Sequence, residues 1–171
     1  MSDTFKFELE GLTFRAKIRH DDDMQEPWKE HDGHGIVSEW TSRDKRAGER
    51  VLIADRGSAR FYDVKASIAI ALKDGWGCEN AEGMTKRQVA AEAVEQDYKR
   101  LKAWCDDEWH WVYVTVELLS KNGDVVPGFR ESCGGMESDQ EEQDFRDMAE
   151  ELAGEIAAQV GDKQSIALAV R

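Results

Sequence analysis

Residues 109–131 read WHWVYVTVELLSKNGDVVPGFRE, and the reading of this stretch decides the fold class. Trp109, Trp111 and Tyr113 alternate with Val112, Val114, Val116 and Leu118, so an extended chain here is apolar on both faces. Such a strand belongs in the middle of a sheet. Asn122-Gly123 is a hairpin-turn dipeptide, and the chain is expected to return along 125–131. Pro127 cannot donate to a central ladder, which assigns the return strand to an edge or a bulge.

Working outward, Phe5, Phe7 and Leu9 alternate with polar residues, as do Leu12, Phe14, Ala16 and Ile18. Glu10-Gly11 lies between the two runs, so residues 4–19 read as a second antiparallel hairpin. Val51 to Ala54 is a short strand, and Gly57-Ser58 reads as a turn before the first helix. Asp63 is placed to cap a helix through about Lys73, with Gly75 as its stop. Thr85-x-x-Gln88 is a capping box for a second helix, whose apolar face holds Val89, Ala90, Ala93, Val94, Leu101 and Trp104. Asp97 falls near the middle of that face, and a position at the core's edge is the favoured reading over a buried, paired carboxylate. Ser138-x-x-Glu141 opens a third helix over 138–160, apolar at Phe145, Met148, Ala149, Leu152 and Ile156 and ended by Gly161. Ser165 to Val170 adds an edge strand or a last helical turn. The order implies a single α+β domain over 1–171: a mostly antiparallel sheet of about 4–6 strands with about three helices on one side. Residues 20–50 lack a sustained period and read as a long irregular loop.

No apolar run reaches the ~18 residues that span a bilayer, and the N-terminal residues lack the pattern of a secretory signal. Cys78, Cys105 and Cys133 are an odd number without C-x-x-C spacing, which fits free thiols in a reducing compartment. The net charge of −13 is uneven: residues 1–60 carry −2, residues 61–105 none, and residues 106–171 carry −11. Such a balance repels nucleic acid and anionic lipid, and attracts a basic partner, including a protein that itself binds nucleic acid.

Three stretches invite a functional reading. WKEHDGHGIVSEWTSRD (28–44) offers His31, Asp32 and His34 as metal ligands, with His20 and Asp21–Asp23 in reserve, for a small metal-dependent hydrolase or nuclease. The two histidines are three apart in a glycine-containing segment rather than at i, i+4 on a helix, so bracing of the loop is preferred and no cofactor is expected. Arg43, Lys45, Arg46 and Arg50 beside Trp40, followed by Arg56 and Arg60, make a local basic patch. A salt-bridged loop accounts for it better than direct nucleic-acid binding, which the overall charge disfavours. The acidic helix is the more specific feature. From Glu137 to Glu155 there are nine carboxylates and one base, Arg146. Asp144, Asp147, Glu151 and Glu155 fall within an arc of about 80° and recur at roughly 4.5–6 Å along the axis, comparable with a track of backbone phosphates. Solvated acidic faces are ordinary; the near absence of compensating Lys or Arg is not.

Taken together, PWKEHDGHGIVSEWTSRDKRAGERVL, DRGSARFYDV, KDGWG, LKAWCDDEWHWV and MESDQEEQ resemble a family of small bacteriophage and prophage accessory proteins without an assigned activity. The likeness covers roughly residues 12–155 and is most specific around 28–50. It transfers no catalytic residue. It implies a setting, the cytoplasm of a bacterial host, and a class in which small proteins bind and disable host defence nucleases, several of them as acidic DNA mimics. The expectation is a non-enzymatic protein that binds a basic or nucleic-acid-binding host protein through Asp144, Asp147, Glu151 and Glu155, with Trp28 and Trp40 as aromatic anchors.

Overall fold

The computed structural model describes residues 4–169, with side-chain detail through Gly161. The described residues form seven strands and four helices, an α+β fold, gathered into two compact units: Met1–Met24 with His110–Arg171, and Gln25–Trp109. No described helix is long and apolar enough to cross a membrane.

The first unit is a four-stranded antiparallel sheet, ordered β1-β2-β6-β7. Strands β1 (Thr4–Leu9) and β2 (Leu12–His20) turn at Glu10-Gly11, both with positive φ (52° and 77°), as a tight hairpin requires. Strand β6 (Trp111–Leu119) lies between β2 and β7 (Val125–Glu137), the central position its two apolar faces demand. Pro127 does fall on an edge strand. The return strand runs to Glu137, six residues past the expected end, through a bulge at Gly134-Gly135. There Asp21 reaches across: its Oδ2 accepts from the Gly135 N–H at 3.2 Å, and a side chain at Gly134 would strike that carboxylate.

One helix, α4 (Glu142–Ala169), covers one face of this sheet. Phe145, Ala149, Leu152, Ala153 and Ile156 pack on Phe14, Ala16, Ile18, Val112, Val114, Val116 and Leu118 as one continuous core. The helix differs from its expected bounds. Ser138 lies in the turn before it and holds the His110 N–H (2.9 Å) instead of capping the helix; Asp144 Oδ2 accepts from the Glu141 N–H instead. Gly161 does not end it, and residues 165–169 continue it rather than forming a strand. Glycine in a helix costs only about 1 kcal/mol relative to Ala, too little to stop a helix that nothing else terminates. Val170 lies outside the described residues.

The second unit has a three-stranded sheet ordered β3-β5-β4, with helices α1 (Pro27–Glu30), α2 (Val64–Asp74) and α3 (Lys86–Cys105). Strand β4 (Glu49–Asp55) turns at Arg56-Gly57 (φ 45° and 83°) into β5 (Ser58–Asp63), so Gly57 serves a hairpin and not the entry to the helix. The caps are as read: Asp63 Oδ1 accepts from Ala66 N, Gly75 is left-handed (φ 73°), and Thr85 and Gln88 bond reciprocally. Leu52, Tyr62, Ala71, Ala90, Val94 and Leu101 are the core of this unit. Much of the supposed loop is ordered against it. Strand β3 (Ile36–Val37) pairs with β5, and backbone bonds from Ser38 to Phe61 and between Thr41 and Ala59 extend that edge.

Candidate functional site

The segment around His31, Asp32 and His34 is organised by one carboxylate. Asp97, on α3, is flanked at i−4 and i+4 by buried Ala93 and Leu101, while Arg100 at i+3 lies over the Trp109 ring, 4.0 Å from its centre. Asp97 finds partners elsewhere. Oδ1 meets His34 Nδ1 at 2.6 Å, while Oδ2 accepts from the Gly35 N–H at 2.8 Å and the Tyr62 hydroxyl at 2.7 Å. The Asp97 side chain is only 9% exposed. It is a paired carboxylate, as the less favoured reading had it, with both oxygens engaged and most of its side chain out of solvent at the edge of this core. Burial first, and then the hydrogen bond to Asp97, pushes the Tyr62 phenol far above its ordinary pKa, so it remains a donor. Ser67 extends the clamp, its Oγ accepting from the Ile36 N–H at 2.9 Å and donating to Asp63 O. Gly35 is required by this packing, because a β-carbon would overlap the Tyr62 hydroxyl and Ser67 Oγ.

Thus His34 is held by Asp97, whereas His31 and Asp32 are exposed. His20 and Asp21–Asp23 belong to the first unit: His20 pairs with Asp22 at 2.9 Å and stacks on His110 at 4.8 Å between centroids. Among the described residues no three His, Cys, Asp or Glu side chains are gathered so as to hold a metal ion.

The tryptophans and arginines of the stretch hold one another. Arg60, 5% exposed, lies 5.6 Å from the Trp28 ring centre and 5.5 Å from that of Trp40, and it bonds to Glu26 at 3.1 Å. Trp28 also meets Trp104 edge-on at 5.6 Å. Trp28 is thereby a packing residue, while Trp40 leaves 44% of its surface to solvent. The basic patch is largely paired: Arg50 with Glu95 at 2.6 Å, and Arg43 with Glu49 through two bonds of 2.8 and 2.6 Å. The Arg43 guanidinium, aided by the Arg46 backbone N–H, holds the Glu49 carboxyl down at about 2.

On α4 the acidic stripe is placed by the core beneath it. With Phe145, Ala149, Leu152, Ala153 and Ile156 buried, Asp144, Asp147, Glu151 and Glu155 point about 140° away, at ~100° per residue. All four are exposed. Gln143 donates to Asp147, and Arg146, the lone base, is committed to Glu142 at 2.7 Å. Glu150, Glu151 and Glu155 have no hydrogen-bond or ion-pair partner among the described residues. The unit that carries them holds 19 Asp/Glu and 9 Lys/Arg, net −10, against −3 for the other.

No family model matches the chain, and no curated protein or solved structure is significantly similar to it.

Two outcomes are expected. Gly35→Ala costs about 1–3 kcal/mol in denaturant unfolding, because the loop must lift off Tyr62 and Ser67. For Glu49 the sign follows from a folded pKa below the ordinary 4.5: its stabilisation is complete above about 4.5 and is lost as pH falls toward 2. Glu49→Gln therefore lowers the melting temperature at pH 7 and flattens its decline between pH 4.5 and 2, as a pH series of thermal melts would read.

Proposed function

We propose that this chain is a non-enzymatic binding protein whose α4 docks on a basic, nucleic-acid-binding protein in the manner of a DNA mimic. One observation carries the reading. Four exposed carboxylates stand on one face of a helix whose rotation the core fixes, and Arg146, the one base between Glu137 and Glu155, is already paired with Glu142. A row of fixed charges at steps of roughly 4.5–6 Å attracts a cationic groove over a distance set by the Debye length, about 8 Å at physiological salt. Steering of this kind acts mainly on the association rate and the choice of partner. The charge is concentrated where it is needed, since the unit bearing α4 is much more acidic than the other. The likeness of residues 12–155 to phage and prophage accessory proteins supports a host-cytoplasm setting and a host defence nuclease or similar DNA-binding protein as the partner class.

Trp28 and Trp40 contribute differently from one another. Trp28 braces Arg60, and Trp40 alone of the pair keeps a large exposed area for contact.

The test is capture from a bacterial lysate, with mass spectrometry, on immobilised wild-type protein and on the variant Asp144→Lys, Asp147→Lys, Glu151→Lys, Glu155→Lys. The expected result is a basic protein retained by the wild type at low salt and lost from the variant. Equal retention by both proteins would reject the acidic face as the docking surface.

A further inference from the structure

Helix α2 carries an apolar strip that its own unit leaves partly open. Val64, Ile68 and Leu72 recur every four residues, and Trp76 follows one step beyond. From Val64 to Leu72 the strip is about 12 Å long, a little over two helical turns. Val64, Ile68 and Trp76 rest partly on the core, but Leu72 is 45% exposed and Met84 41%. Two adjoining hollows share Leu72. The larger, about 470 Å³, lies between α2 and α3 over Ile68, Ala69 and Ala91. The smaller, about 280 Å³, is floored by Trp76, Met84 and Val89.

The charged residues that line this groove are all basic. Lys65 and Arg87 line the larger hollow and Lys86 the smaller, and none of them has an ion-pair partner among the described residues. Lys86 and Arg87 also occupy the first turn of α3, where no acidic residue is present. A helix N-terminus carries partial positive charge, so cations there raise the local potential instead of lowering it. In a chain of net charge −13, a groove rimmed by three uncompensated cations is the exception. An apolar channel of two turns asks for anchors at i, i+3, i+4 and i+7, and its rim asks for carboxylates beside them.

We infer that the α2–α3 groove docks an acidic amphipathic helix of a partner protein. The anchors fill the hollows on either side of Leu72, and the partner's carboxylates pair with Lys65, Lys86 and Arg87. This surface belongs to the unit that does not carry α4, and it holds whether or not the acidic face has a partner.

The probes are two fluorescein-labelled peptides of roughly 18 residues, each with Leu at i, i+3, i+4 and i+7, one flanked by Glu and the other by Lys. Fluorescence anisotropy on the full chain is expected to saturate with the Glu peptide and to show at least about tenfold weaker binding of the Lys peptide. Leu72→Glu should weaken the Glu peptide by at least about tenfold with an unchanged melting temperature, because the side chain is exposed. Lys65→Glu with Arg87→Glu should reverse the preference in favour of the Lys peptide. Equal binding of the two peptides, a preference indifferent to the charge reversal, or no binding of either up to about 1 mM overturns the inference. Sedimentation in parallel covers the remaining occupant: self-association abolished by Leu72→Glu would assign the groove to a second copy and overturn it as well.

Discussion

The packing of α4 on one face of the four-stranded sheet, closest over β6 and β7, is the constraint from which the functional reading follows. Phe145, Ala149, Leu152, Ala153 and Ile156 leave α4 no freedom to rotate, since turning it by even one residue's ~100° would exchange an alanine or isoleucine for a carboxylate against Val114 and Val116. Burying an unpaired carboxylate costs several kcal/mol at least, so the acids must face outward. The hydrophobic core and the charged track are thus two sides of one sequence period. Small residues at 149, 153 and 157 let the helix lie close to the sheet.

The second unit depends in the same way on a single group. The Asp97 side chain is largely withdrawn from solvent, and a carboxylate so placed is tolerable only when its acceptor sites are filled. His34, the Gly35 amide and Tyr62 fill them, and in doing so they bring the 31–38 segment down onto α2 and α3. The His-Asp-Gly-His pattern, which as a sequence looks like a ligand set, acts here as the strap that satisfies a core carboxylate. Arg60 does the equivalent work further along, held between two indole rings and neutralised by Glu26.

Where a feature is written locally, the sequence displays it. The central strand, the Asn122-Gly123 turn, the edge placement of Pro127 and the caps at Asp63, Gly75 and Thr85 each depend on residues within a few positions of one another. Strand β5 was not legible, because SARFYD does not alternate and Arg60 sits buried inside it. Its burial is intelligible only once Trp28, Trp40 and Glu26 are brought around it from 20–34 positions away. The same distance hid the part played by Asp97, whose partners lie 35–63 residues earlier. One signal was available: an acid on the apolar face between Ala93 and Leu101 asks for hydrogen-bond partners from another part of the chain. The acidic stripe on α4 was legible because helical periodicity is local, and the structure adds that its four members are exposed while Arg146 is spent on Glu142.

The most direct measurement of whether this stripe stands in for nucleic acid is competition. The complex captured from lysate would be titrated with duplex DNA at fixed ionic strength, and free and bound protein followed by sedimentation. Displacement of the protein by DNA in a one-for-one competition, with no ternary species, is the expected result. A stable ternary complex of partner, DNA and this protein would contradict it.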